Sequence, residues 1–200
     1  MEIFVYIYIG GVQGCNVLTI YVYSSCVYLI LGYYRAGYRP PNMSGAGRII
    51  ERELTNRDIL RYVREWGIPN FAGVFMRDTI PHAAPSRVEC GIVNLNLSTQ
   101  PGSHWVAYYK DGTSRLYFDS YGQHTPDEVE RYLKTRREYK EGVECIVRNC
   151  VRVQKLGTTE CGGLCLYVLA LLCRGWDYAN ILLHLRTRLR STHAYPGGDV

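Results

Sequence analysis

The chain has 200 residues, 47% of them hydrophobic and 20% charged, with a formal net charge of +5. That length and balance hold one domain with a sizeable core plus appendages, and they exclude a disordered chain. The eight cysteines are too scattered for a small secreted disulfide scaffold, which points to a reducing, intracellular compartment; the mild positive charge permits an acidic partner such as nucleic acid without demanding one.

Residues 1–38 form an apolar extension of a different material. Between Glu2 and Arg35 there is no charge, and tyrosines and β-branched residues dominate. The run NVLTIYVYSSCVYLILGYY holds about 19 residues, near the length that spans a bilayer. Arg35 and Arg39 follow it, an order that would leave the C-terminal part in the cytosol. No basic residue precedes the run, against a cleaved signal peptide. Its Tyr, Ser and Gly content dilutes the hydrophobicity and favours two other readings over a membrane anchor: a strand-rich extension, or an upstream reading frame outside the working protein. Residues 39–50, with RPPNMSGAG, have linker composition.

The body spans 51–190 and opens on a capped helix. Thr55 is followed three residues later by Asp58, and Ile59, Leu60, Val63 and Trp66 recur at helical spacing until Gly67 and Pro69 stop them. From about residue 71 to 122 the pattern is that of strands. GIVNLNL alternates apolar and polar positions as a half-buried strand does, and HWVAYYK and SRLYFDS flank Asp111-Gly112, a hairpin signal. A turn centred between 111 and 112 predicts that His104 and Asp119 are cross-strand neighbours. Residues 126–139 begin acidic and end basic, as helices prefer, and a short strand over 143–153 follows. The run 164–173 is apolar nearly all round, which predicts a buried helix, and STHAYPGGDV, 191–200, is a frayed tail. The fold class is α+β, a central buried helix against a small, mostly antiparallel sheet.

Cys161 stands where that helix should start, in QKLGTTECGGLCLYVLALLC. A helix N-terminus favours thiolate over thiol, and Gly162 and Gly163 would let a substrate backbone approach. A thiol nucleophile needs a base, an orienting carboxylate and oxyanion donors. His104, Asp119 and the neutral amide of Gln154, seven residues before Cys161, supply those types. Trp105 reads either as cleft wall or as packing. Cys165 and Cys173 on the helix, and Cys90 in its own strand, read as packing. Cys145, Cys150, Cys161 and Cys165 lack the spacing of zinc knuckles, so no metal is expected. His82, His124, His184 and His193 read as surface residues, and Glu160 as solvated. The basic groups Lys134, Arg136, Arg137 and Lys140, and Arg186, Arg188 and Arg190, read first as solvated helix faces.

From Leu54 to Leu183 the chain resembles the adenovirus-type processing proteases and the related Ulp-type SUMO proteases. The resemblance rests on GSHWVAYY, YFDSYG and the Gln-to-Cys-Gly spacing; GVFMRDTIP and ECGIVNLN are similar to proteases of Polinton-type, virus-like DNA transposons. Asp119 is a departure, since the adenovirus enzymes use glutamate there and the Ulp type aspartate. The resemblance implies a papain-like α+β fold and a cysteine endopeptidase cleaving glycine-containing sites in viral or transposon structural proteins. Cys161 would be nucleophile, His104 base, Asp119 its orienting acid, and Gln154 oxyanion donor. It implies no required cofactor, DNA or an activating peptide as stimulant, a disulfide role for Cys145 or Cys150, DNA contact by the basic groups, and a setting in nucleus, cytoplasm or virion-like particle. Two alternatives stay open: a protease for ubiquitin-like proteins, or a silent module binding peptide or DNA.

Overall fold

The computed structural model describes residues 3–8, 17–23, 26–30, 48–82, 86–112, 114–135 and 146–191. Strands β1 (Ile3–Tyr8), β2 (Val17–Tyr23) and β3 (Cys26–Ile30) pair antiparallel in that order. The candidate bilayer run is therefore divided between β2 and β3, as its β-branched and aromatic residues favour. Among the described residues no helix is long and apolar enough to cross a membrane.

Helix α1 (Asn56–Glu65) carries the expected capping box. The Asp58 N–H donates to the Thr55 hydroxyl at 3.2 Å, and the Thr55 N–H donates back to the Asp58 carboxylate at 3.1 Å. Ile59 and Val63 turn inward, and Gly67, at φ 61°, lies just past the helix end.

A five-stranded sheet follows: β4 (Phe71–Met76), β5 (Val88–Asn94), β6 (Trp105–Asp111), β7 (Ser114–Phe118) and β8 (Ile146–Arg148), in that spatial order. β5, β6 and β7 are antiparallel; the two edge strands join parallel. β5 is not half-buried as its alternation predicts, because both faces of the sheet are covered. Ile92 joins the core against helix α3 (Cys161–Leu172), while Val93 joins a second core with Val129, Tyr132 and Leu133 of helix α2 (Asp127–Lys134).

The hairpin register also differs from expectation. Asp111 pairs with Ser114 and Ala107 with Phe118, so two residues are interposed between the strand ends, and Gly112 there adopts φ 56°. Continuing that register sets Tyr121, not Asp119, across from His104. The basic positions 136, 137 and 140, Cys145 and His193 lie outside the described residues.

All twelve residues of α3 are buried, as its uniform apolarity demands. Helix α4 (Tyr178–Ser191) was foreseen only as a solvated face carrying Arg186, Arg188 and Arg190, not as an element of the core. Asp177 caps it, accepting from the Ala179 and Asn180 N–H groups at 3.0 and 3.2 Å, and Ile181, Leu182 and Leu185 face the core.

Candidate active site

The expected residues sit at element ends rather than within elements. His104 immediately precedes β6, Asp119 immediately follows β7, Gln154 lies in the loop after β8, and Cys161 is the first residue of α3. The packing of α3 on the sheet brings His104, Gln154 and Cys161 to one cleft of ≈ 500 Å³, whose wall also holds Met76, Asn94, Trp105, Tyr121 and Thr158, while Asp119 lies buried behind His104.

His104 is anchored by its carbonyl, which accepts from the Leu95 N–H at 2.9 Å. Its Nε2 meets Asp119 Oδ1 at 2.8 Å, although the two are not register partners. Asp119 reaches it from a tight turn: the Gly122 N–H donates to the Asp119 carbonyl at 2.8 Å, with Gly122 at φ 74°. A Cβ on Gly122 would stand 2.9 Å from the Val151 backbone, which explains the glycine of YFDSYG. The Asp119 side chain is 0% exposed, and its Oδ1 also accepts from the Tyr121 N–H at 2.8 Å. Buried Asn149 accepts from the Asp119 N–H at 3.0 Å and so fixes the acid's backbone. Tyr121 stacks on the His104 ring with centroids 4.9 Å apart.

With Nε2 committed to Asp119, Nδ1 is left for the Cys161 thiol, and each group acts on the titration of the other. Burial pulls the imidazole down, but hydrogen bonds to Asp119 and Cys161 and their charges prevail and raise His104 to about 9. Burial pushes the Cys161 thiol up; the His104 hydrogen bond, the Trp105 N–H, the His104 charge and the Gly162 N–H outweigh it and hold the thiol below its ordinary value. Both shifts favour thiolate with imidazolium over the neutral pair.

Gly162 and Gly163 do not leave room for a substrate, as their sequence suggests. A Cβ on Gly163 would lie 2.1 Å from the Ile50 carbonyl oxygen, and one on Gly162 would lie 3.1 Å from Trp105 and 3.2 Å from Leu54. The chain's own segment 50–54 fills that space as a strap across the first turn of α3. Trp105 serves both of its expected roles: it lines the cleft, and its Nε1 donates to the Leu54 carbonyl at 2.9 Å.

Glu160 is not solvated. It is 5% exposed and meets Arg188 Nη2 of α4 at 3.0 Å, while Arg188 also reaches Glu51. Of the basic groups, Arg188 is therefore turned to acids and Lys134 bonds Glu130, whereas Arg186 is exposed. Cys90 and Cys165 are buried as expected; Cys173 is half-buried and touches Cys90. His82, His124 and His184 are exposed. Among the described residues no set of His, Cys, Asp and Glu converges as metal ligands.

No family model matches this sequence, and no curated protein does. Nine chains among solved structures match it. Two of them are crystal structures of a protease. The ASFV pS273R protease shares 18% identity, with 71% of this chain and 68% of that one covered and a TM-score of 0.43. Its selenomethionine form shares 21%, covering 76% and 71%, with a TM-score of 0.46. These are likenesses of overall shape; the chemistry of the site stands on its side chains.

Sequence reasoning missed Ser120, Asn149, Thr158 and the strap. Ser120 adjoins Asp119 in YFDSYG, the one signal that could have marked it. The others become visible only when the loops meet.

Proposed function

We propose that the chain is a cysteine endopeptidase of papain-like fold. The observation that carries this is the Cys161 thiol at the start of a buried helix, lining one cleft with an imidazole whose Nε2 is 2.8 Å from a fully buried carboxylate. In this reading the Cys161 thiolate attacks the scissile carbonyl carbon, and the Cys161 N–H and the Gln154 amide receive the resulting oxyanion. His104, charged, gives its proton to the leaving amine as the thioester forms. It then takes a proton from water, whose attack releases the acid and regenerates the thiol. Asp119 keeps the ring oriented throughout.

The substrate class we propose is a protein with glycine-containing sites, of the capsid or structural type processed by adenovirus-type enzymes. Leu54 and Trp105, joined by a hydrogen bond, line the cleft with Cys161, which supports a preference for small residues at the cut. No metal enters the proposed reaction, and DNA or an activating peptide is proposed as a stimulant only.

The test offers the full chain a glycine-containing peptide and, separately, an intact ubiquitin-like fusion, each with and without duplex DNA. Cleavage of the peptide on the carboxyl side of glycine, absent in Cys161→Ala, is expected. Cleavage of the fusion alone would move the assignment to a ubiquitin-like protein protease. Absence of cleavage under all conditions would defeat the proposal.

A further inference from the structure

The Gln154 side chain is fully buried, and its amide is gripped at both ends. The Ser120 hydroxyl donates to Oε1 at 2.6 Å, and Nε2 donates to the Thr158 carbonyl at 2.7 Å. A carbonyl oxygen only accepts, so the nitrogen end is held toward the loop that leads into Cys161. Reversing the amide would set two acceptors against each other, with a buried polar pair left unbonded. Ser120 also grips the backbone, its carbonyl accepting from the Val153 and Gln154 N–H groups at 2.8 and 3.2 Å. One Nε2 hydrogen is thus committed to Thr158. The other faces the Thr158 and Tyr121 hydroxyls at a longer 3.2 and 3.3 Å, on the cleft wall that Gln154, Tyr121 and Thr158 share.

The geometry points to Ser120 as a positioning residue that acts through Gln154, holding the carbonyl end of an amide whose direction the Thr158 carbonyl sets; this rests on Cys161 being the nucleophile. Ser120 is 0% exposed and touches no reacting atom, so its hydroxyl has no other task in the mechanism. Asp119 orients the base, and the next residue along the chain orients the oxyanion donor. One tight turn therefore sets both halves of the machinery at once, and a shift in that turn would disturb them together.

Two thiol reagents applied to the full chain separate this from the nucleophile assignment. Iodoacetamide alkylates Cys161 by displacing iodide, and no oxyanion forms. A peptide aldehyde ending in glycinal adds reversibly. Sulfur bonds to the aldehyde carbon, the carbonyl electron pair moves to oxygen, and the thiol proton passes by way of His104 to give a neutral thiohemiacetal. That oxygen occupies the site Gln154 serves. Aldehyde binding is read by mass spectrometry as protection of Cys161 from iodoacetamide.

In Ser120→Ala the alkylation rate of Cys161 should stay within about twofold of the wild-type rate, whereas half-protection should need about tenfold more aldehyde or greater, less than the hundredfold or more that follows loss of a whole donor. Ser120→Thr keeps the hydroxyl and should restore most of the protection. If the alanine protein fails to fold, shown by alkylation spread over the other cysteines, Ser120→Cys, a weak donor of similar size, makes the same comparison with a smaller expected loss. Equal protection in wild type and a folded variant overturns the proposal. A wild-type Cys161 that resists alkylation, or that the aldehyde never protects, overturns the nucleophile reading itself.

Discussion

His104 presents Nε2 to Asp119 and so has only Nδ1 for the thiol, and this fixes the direction in which a proton can travel. Alkylation of Cys161 should be fast below about pH 8, where an ordinary thiol is protonated, and His104→Ala should abolish that advantage. Peptide cleavage should fall again on the alkaline side, as the imidazolium is lost through about 9. The same contacts contribute to stability. The His104 value is raised above 6.5 in the fold, so the contribution is complete below 6.5 and disappears as pH rises through about 9, which thermal melts across pH would read. Gly163 makes a separate prediction. In Gly163→Ala the new methyl meets the Ile50 carbonyl, a backbone group that cannot swing aside. A loss of ~1–3 kcal/mol is expected, a fall in Tm of several degrees. Gly162→Ala, which meets side chains at 3.1 Å or more, should cost less.

At the scale of elements, α4 and the strap hold the start of α3 from two sides. Arg188 lies across Glu160 and Glu51, so it ties the last helix to the residue before the nucleophile and to the strap. Arg188→Ala leaves a buried carboxylate uncompensated beside Cys161, at a cost of ~1–3 kcal/mol. The added negative field should also move the onset of Cys161 alkylation to higher pH, measurable in the rate–pH profile. What was legible here follows from pattern strength. The α1 capping box, the buried α3 and the hairpin all announce themselves by local chemistry. Asp111-Gly112 marks a turn without saying which residues occupy it, hence the two-residue error in register. His104 and Asp119 still meet because both stand at the loose ends of their strands. Helix α4 was hidden because its basic residues obscured the spacing of Ile181, Leu182 and Leu185. Ser120 and Asn149 carry no local signature, since each is defined by a partner far along the chain.

For the whole molecule, the site depends on a sheet covered on both faces, with His104 and Asp119 at the ends of its strands, Gln154 in a loop and Cys161 at the start of α3. Among the residues whose side chains are described, those of the two cores run from 49 onward. A chain beginning at Arg48 is therefore expected to keep a cooperative melt and selective labelling of Cys161, and scattered labelling would show that the first 47 residues are needed for the fold. The strap has one more consequence, and it concerns time. Ile50 and Leu54 leave the ribosome long before the helix they cover, and Cys161 follows His104, Asp119 and Gln154 in order of synthesis. The thiol can be seated only after nearly all of its surroundings have been made. Until residue 161 has emerged, the chain carries no complete form of the proposed centre.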